Sequence, residues 1–165
     1  MHRAWLDPFF AVFSYLGTGG WTAAVCLLFI LSKNTRSFVV PLLVSEAVGG
    51  FLLADTIKLL IPRDRPSNLS FAIRQEHWLT QSFPSGHTTT AFSVAVMLVL
   101  LTWNGKLRWA GVTAIPIACL VGLSRIYRGV HWPTDVLAGI CFGTFTACAL
   151  YLLLPKLGIR TTQVF

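Results

Sequence analysis

From Val136 to Leu154 the chain carries no charged side chain, and the same holds from Thr88 to Trp103. Runs of this length are long enough to cross a hydrocarbon layer as helices, where every backbone N–H and C=O must be bonded within the segment. The overall balance excludes a soluble fold. Hydrophobic residues make up 55% and charged ones 12%, with a mean hydropathy of +0.68, so too few charges remain to cover a water-facing surface. The sequence therefore predicts an all-α, polytopic transmembrane bundle forming a single membrane-embedded domain over residues 1–165.

Five spans are expected. The first apolar region, Phe9 to Leu31, is interrupted by Gly17, Gly19 and Gly20, so residues 4–16 read as an interfacial or tilted entry segment and the span proper as about 18–32. The others cover about 37–61, 86–103, 109–126 and 134–154. The longest loop, 62–83, is polar. No small-residue cleavage pattern follows the first apolar stretch, so a removable signal peptide is not expected. The cysteines Cys26, Cys119, Cys141 and Cys148 fall in apolar runs without metal-ligand spacing and are expected as buried small hydrophobes. Gly139, Gly143 and Ala147 form a small-residue stripe suited to close packing inside the bundle.

Each span reverses the side on which the chain emerges. The loop 62–83, the turn Pro84-Ser85-Gly86-His87 and the stretch Ser124 to Asp135 therefore share one face. The opposite face receives Lys33, Arg36, Lys106, Arg108, Lys156 and Arg160 in short segments without an acidic residue. The positive-inside bias puts that face in the cytoplasm and the polar-loop face outside the cell membrane. Trp103 and Trp109 on one side, with Trp78 and Trp132 on the other, suit interfacial anchoring. The net charge of +7 is spent on orienting helices and meeting anionic head groups; with no basic domain or tail, no nucleic-acid partner is expected.

Chemistry concentrates on the polar-loop face. His131 and Asp135 can form an imidazole–carboxylate pair that holds one tautomer and leaves the other ring nitrogen free, and Arg125 and Arg128 beside them suit an anion; a short basic loop with a hydrogen-bonded histidine is the alternative. Taken singly, Lys58 could snorkel from the end of its span, Arg65-Pro66 could be an ordinary helix-terminating turn, and Pro84-Ser85-Gly86 could simply start a helix. Arg63 and Arg128 read equally as supplementary head-group contacts or interface anchors. Asp55, three residues before Lys58, is expected to orient it. Glu46 lies mid-span, where an ionised carboxylate is expensive, so it should face the bundle and hold a structural hydrogen bond. Glu76 and His77 in the long loop could touch a substrate or cap the site, but a solvated loop is favoured for them. His87, His131 and Asp135 would suit a divalent ion, but the surrounding cations oppose one; no metal or cofactor is expected.

Taken together, Lys58-(six residues)-Arg65-Pro66, Pro84-Ser85-Gly86-His87 and Ser124-Arg125-(five residues)-His131-(three residues)-Asp135 resemble the three-part signature of the type 2 phosphatidic acid phosphatase family. Every signature position is filled in order, over residues 58–135. The resemblance implies that His131 attacks phosphorus, Asp135 accepts from its other nitrogen, and His87 protonates the leaving oxygen and then activates water, while Lys58, Arg65 and Arg125 neutralise the phosphate and the backbone N–H groups of Ser85 and Gly86 at a helix start meet its oxygens. It implies a membrane lipid phosphate as substrate, an isoprenyl diphosphate first, with phosphatidylglycerophosphate, phosphatidic acid and a lipid A phosphate as alternatives. A vanadate-dependent haloperoxidase or a non-catalytic lipid-binding protein are the rivals of a different class. Oligomeric state is not legible in the sequence.

Overall fold

The computed structural model describes residues 3–70, Glu76, 81–159 and Thr161. Its helices are α1 (Asp7–Leu16), α2 (Gly19–Ile30), α3 (Val39–Glu46), α4 (Ala54–Leu60), α5 (Gly86–Thr102), α6 (Arg108–Tyr127) and α7 (Pro133–Leu153). A π-helical segment, Ala47–Leu53, joins α3 to α4, so that Arg36–Leu60 runs as one apolar helical stretch of 25 residues. That stretch, Arg108–Tyr127 and Pro133–Leu157 are each long and apolar enough to cross a membrane.

The first span is broken where the glycines interrupt it. Helices α1 and α2 meet at Gly17–Thr18 with a bend of 63°, and together they qualify as a fourth span. Helix α1 is more than an interfacial entry segment. Tyr127, at the end of α6, donates its hydroxyl to the Arg3 carbonyl (2.6 Å) and the Asp7 carboxylate (2.9 Å) and stacks on Phe10, while Gly17 comes so close to Val121 and His87 that a Cβ there would lie 2.6 Å and 3.1 Å from their side chains. The chain thus enters from the end where α6 finishes, turns at Gly17, and reaches the other end along α2.

Helix α5 is the axis of the bundle. At 17 residues it falls short of the others, about 26 Å at the usual rise per residue, but it is wrapped by α3, α6 and α7 rather than by lipid. The small-residue stripe of α7 makes this possible. At Gly143 a Cβ would stand 2.5 Å from the Thr89 carbonyl oxygen, so only glycine admits the α5 backbone there.

The two halves of the bundle differ in chemistry. Away from the polar loops, Cys26, Phe38, Leu42, Met97, Leu98, Leu101, Ala147 and Leu154 form an apolar core. Toward the loops the buried side chains are Ser82, Ser85, Thr88, Thr89, Ser124, Arg125, His131 and Asp135. Among the cysteines only Cys26 is buried. Cys119, Cys141 and Cys148 lie on the outside, correcting the expectation that all pack inside; an apolar outer surface is what a lipid solvent selects. Glu46 faces inward as expected, hydrogen-bonded to Thr22 and set against Gly19, where a Cβ would lie 2.3 Å from its carboxylate oxygen.

Candidate active site

The site is assembled where α4 and α6 end and α5 and α7 begin. Ser85 is the extended residue before α5. Its N–H donates to the Asp135 carbonyl (3.1 Å) and its hydroxyl accepts from Thr88 (2.9 Å). Ser85 therefore ties the two helix starts together with the backbone donor that was expected for phosphate, while the amides of Gly86 and the rest of the first turn have no intrahelical acceptor. Lys58 reaches this turn from α4, its Nζ 3.2 Å from the position a Gly86 Cβ would take. Asp55, one helical turn back and more than half exposed, pairs with it at 2.7 Å.

His131 follows a turn made by Gly129, whose φ of 67° lies in the left-handed region that favours glycine. The ring is buried. Nδ1 lies 2.8 Å from the Ser82 carbonyl, an acceptor only, so Nδ1 carries the proton and Nε2 the lone pair. Nε2 accepts from Arg65 Nη1 at 3.2 Å. Burial, reinforced by the charges of Arg65 and Arg125, outweighs Asp135 and brings the imidazole pKa down to about 4, so it is neutral across the physiological range.

Asp135 does not meet His131 as directly as the spacing implied. Its Oδ2 is 3.6 Å from Nδ1 and is bonded instead by the Ser82 hydroxyl and by the Trp132 N–H (2.8 Å), an acidic residue capping its own helix. Its Oδ1 is held by Arg63 at 2.7 Å. Arg63 also reaches Thr134 at 2.7 Å and lies over the Trp132 ring. The fixed proline and the cap turn the carboxylate back on its own first turn, which leaves the Ser82 carbonyl as the orienting partner of His131.

Arg65, also buried, spans the loops through the carbonyls of Val130 (3.0 Å) and Gln81 (3.1 Å). Burial first, then the Arg125 charge, lowers its pKa to about 10, which still leaves it a cation. Arg125 is fully buried on α6. It binds Glu76 through both terminal nitrogens, Nη1 to Oε1 at 3.0 Å and Nη2 to Oε2 at 2.8 Å, and Nη1 also donates to Ser14 of α1. Arg128 adds a contact to Glu76 at 2.5 Å. Glu76 is thus part of the site, a correction to its expected place in solvent; two guanidiniums on α6 draw it in. Arg74, His77 and Trp78 lie outside the described residues. His87 lines a cavity of about 340 Å³ with Ala11, Ser14, Tyr15, Thr18, Glu76 and Arg128.

The profile of the PAP2 superfamily matches residues 38–159, which takes in every one of these loops and helix ends. The chain belongs to the PAP2 superfamily. The undecaprenyl-diphosphatase of Sulfolobus acidocaldarius is 32% identical over 127 residues, 76% of this chain and 59% of that protein. A lipid A 1-phosphatase of Rhizobium etli is 31% identical over 167 residues, 87% of this chain and 69% of that protein. The crystal structure of a transmembrane PAP2 type phosphatidylglycerolphosphate phosphatase from Bacillus subtilis superposes with a TM-score of 0.76 at 28% identity, over 94% of this chain and 80% of that one. The chain spans 59 to 64% of the length of three of the curated relatives it matches. PAP2 membership accounts for the order of the three motifs. Ser82, Ser14 and Glu76, which hold Asp135, Arg125 and Arg128, lie outside the motifs, and no periodicity marked them.

Proposed function

We propose that this chain is an integral-membrane lipid phosphatase that removes a terminal phosphate through a phosphohistidine on His131. The observation that carries the proposal is a buried imidazole whose Nδ1 proton is held by a carbonyl, leaving the Nε2 lone pair beside the guanidinium of Arg65. Nε2 attacks phosphorus while the bond to the leaving oxygen breaks and that oxygen takes a proton from His87, whose imidazolium a bound dianion favours. Water then attacks the phosphohistidine as His87 takes its proton, the N–P bond breaks with the electron pair returning to Nε2, and inorganic phosphate is left. Lys58, Arg65, Arg125 and the first-turn amides of α5 would stabilise the equatorial oxygens of the transferring group. Asp135 would stabilise the positive charge that the ring gains.

An isoprenyl diphosphate is the favoured substrate. The concentration of cations suits two phosphates in series, and the Sulfolobus relative bears the name of an undecaprenyl-diphosphatase. Lipid A phosphate and phosphatidylglycerophosphate are the alternatives that the other relatives' names support. The end of the bundle carrying the site is assigned to the extracytoplasmic face, because exposed Lys33, Arg36, Lys106, Arg108 and Lys156 gather at the other. Phosphate release from a panel of these lipids in detergent, with chelator present, tests the chemistry. The intact protein is expected to release phosphate from at least one lipid and His131→Ala to lose about a thousandfold or more in rate. Release undiminished in the variant would overturn the mechanism.

A further inference from the structure

Glu76 sits where an anionic ligand is needed. Its two oxygens take the two terminal nitrogens of Arg125 at 3.0 and 2.8 Å, Arg128 Nε binds one of them at 2.5 Å, and the Ser14 hydroxyl lies 3.4 Å from the same oxygen. A guanidinium fork closed on two oxygens is also how arginine holds a phosphate. Arg125 is almost wholly inaccessible, with 1% of its side chain exposed, so it cannot turn outward to meet a second anion elsewhere. The same carboxylate lines the 340 Å³ cavity with His87, the side chain that must touch the leaving oxygen. A phosphoryl group placed to reach both His87 and Arg125 would meet the Glu76 carboxylate, and two anions on one fork repel.

We propose that Glu76 is an internal competitor for the phosphate-binding fork: its carboxylate holds Arg125 and Arg128 when the site is empty, yields them to the phosphoryl oxygens of the substrate, and returns as inorganic phosphate departs. The proposal rests on the phosphatase function assigned to the same site and adds the residue that sets its affinity. A buried guanidinium without an anion is costly, so the empty site needs a partner for Arg125. Tight ground-state binding of the dianionic product would not accelerate turnover, and a tethered carboxylate weakens it. Competition of this kind lowers the apparent affinity of every ligand of the fork by one common factor, the fraction of time the fork is open. It therefore does not select between ligands. It shifts all of their constants together.

The test uses the full chain in detergent and two readouts. Binding of inorganic phosphate is measured by titration calorimetry without turnover, and KM is measured with whichever lipid phosphate the intact protein hydrolyses. In Glu76→Gln both the phosphate Kd and the lipid KM are expected to fall by the same factor, roughly tenfold. Glu76→Asp, with its charge kept on a shorter arm, is expected between the two. Because losing the carboxylate removes the negative charge held against Arg125 and Arg128, inorganic phosphate is expected to raise the unfolding temperature of Glu76→Gln more than that of the intact protein. Phosphate affinity unchanged or weakened in both Glu76→Gln and Glu76→Asp would overturn the proposal, and would mark Glu76 as a support for Arg125 alone. Calorimetry separates this from failure of the phosphatase function itself: absence of lipid hydrolysis by the intact protein would defeat that function, and the phosphate titrations would still decide the competition.

Discussion

At His131 the neighbours settle the tautomer and the charge. A carbonyl acceptor at Nδ1 fixes the proton, and burial beside two guanidiniums holds the ring neutral, with a pKa of about 4 against an ordinary 6.5. Because the folded-state value is depressed, the unfolded chain binds more protons between those two values. The stabilisation is fully present above pH 6.5 and is lost as pH falls through about 4. Thermal unfolding in detergent across that window is therefore expected to show a shallower acid-side loss of Tm in His131→Gln than in the intact protein. Equal slopes would show that the ring is not held neutral. The same residue shows how local geometry redistributes roles: with Asp135 turned to cap its own helix and gripped by Arg63, the orienting of the imidazole falls to the Ser82 backbone, and Asp135 acts at 3.6 Å through its charge.

Among the elements, the pairing of α5 with α7 ties Ser85, two residues before His87, to the Asp135 carbonyl. Helices in lipid gain little from burying apolar surface and associate through close backbone approach. A Cβ at Gly143 would meet the Thr89 carbonyl oxygen at 2.5 Å and the Phe92 Cβ and Ser93 nitrogen at 2.9 Å, atoms of α5 that cannot rotate away. Gly143→Ala is expected to destabilise the protein by about 1–3 kcal/mol through overpacking. It should also reduce activity, because α5 carries His87. Gly20→Ala is the control. Its nearest neighbours would be 3.8 Å away, and its stability should stay within about 0.5 kcal/mol of the parent. A Gly143→Ala variant as stable as Gly20→Ala would show that the two helices have slack between them. The broken α1–α2 span brings Ser14 to the buried Arg125, linking the first helix to the last turn of α6.

For the whole molecule, the distribution of charge between the two ends of the bundle sets its orientation. Lys33, Arg36, Lys106, Arg108 and Lys156 are exposed at one end. Arg63, Arg125 and Arg128 at the other are tied to Asp135 and Glu76. Surface-exposed basic residues in short loops are the ones that bias insertion. In a background lacking the native cysteines, a membrane-impermeant thiol reagent applied to intact cells is expected to label Asn68→Cys and to spare Lys106→Cys until the membrane is opened. The opposite pattern would put the site in the cytoplasm.

The apolar runs after the first marked helices at about 37–61, 86–103, 109–126 and 134–154 to within a few residues, because burial of backbone polar groups in lipid leaves a helix as the only answer for a segment of that length. Motif spacing likewise singled out Lys58, Arg65, His87, Arg125, His131 and Asp135 as candidates, and alternation of sides predicted the one end at which the structure places them. Partners were another matter. Ser14 is 111 residues from Arg125, Glu76 lies 49 residues from it, and Ser82 lies 53 from Asp135, so nothing in local periodicity joins them. Only the tertiary structure decided that the bend at Gly17 brings Ser14 to Arg125, that Arg63 holds Asp135, and that the Glu76 carboxylate closes on the guanidinium fork. Sequence set which segments cross the membrane and which side chains can do chemistry, through rules that act within one helix. Which of those groups pair with one another depends on contacts between helices and loops far apart in the chain, and those exist only once the bundle has closed.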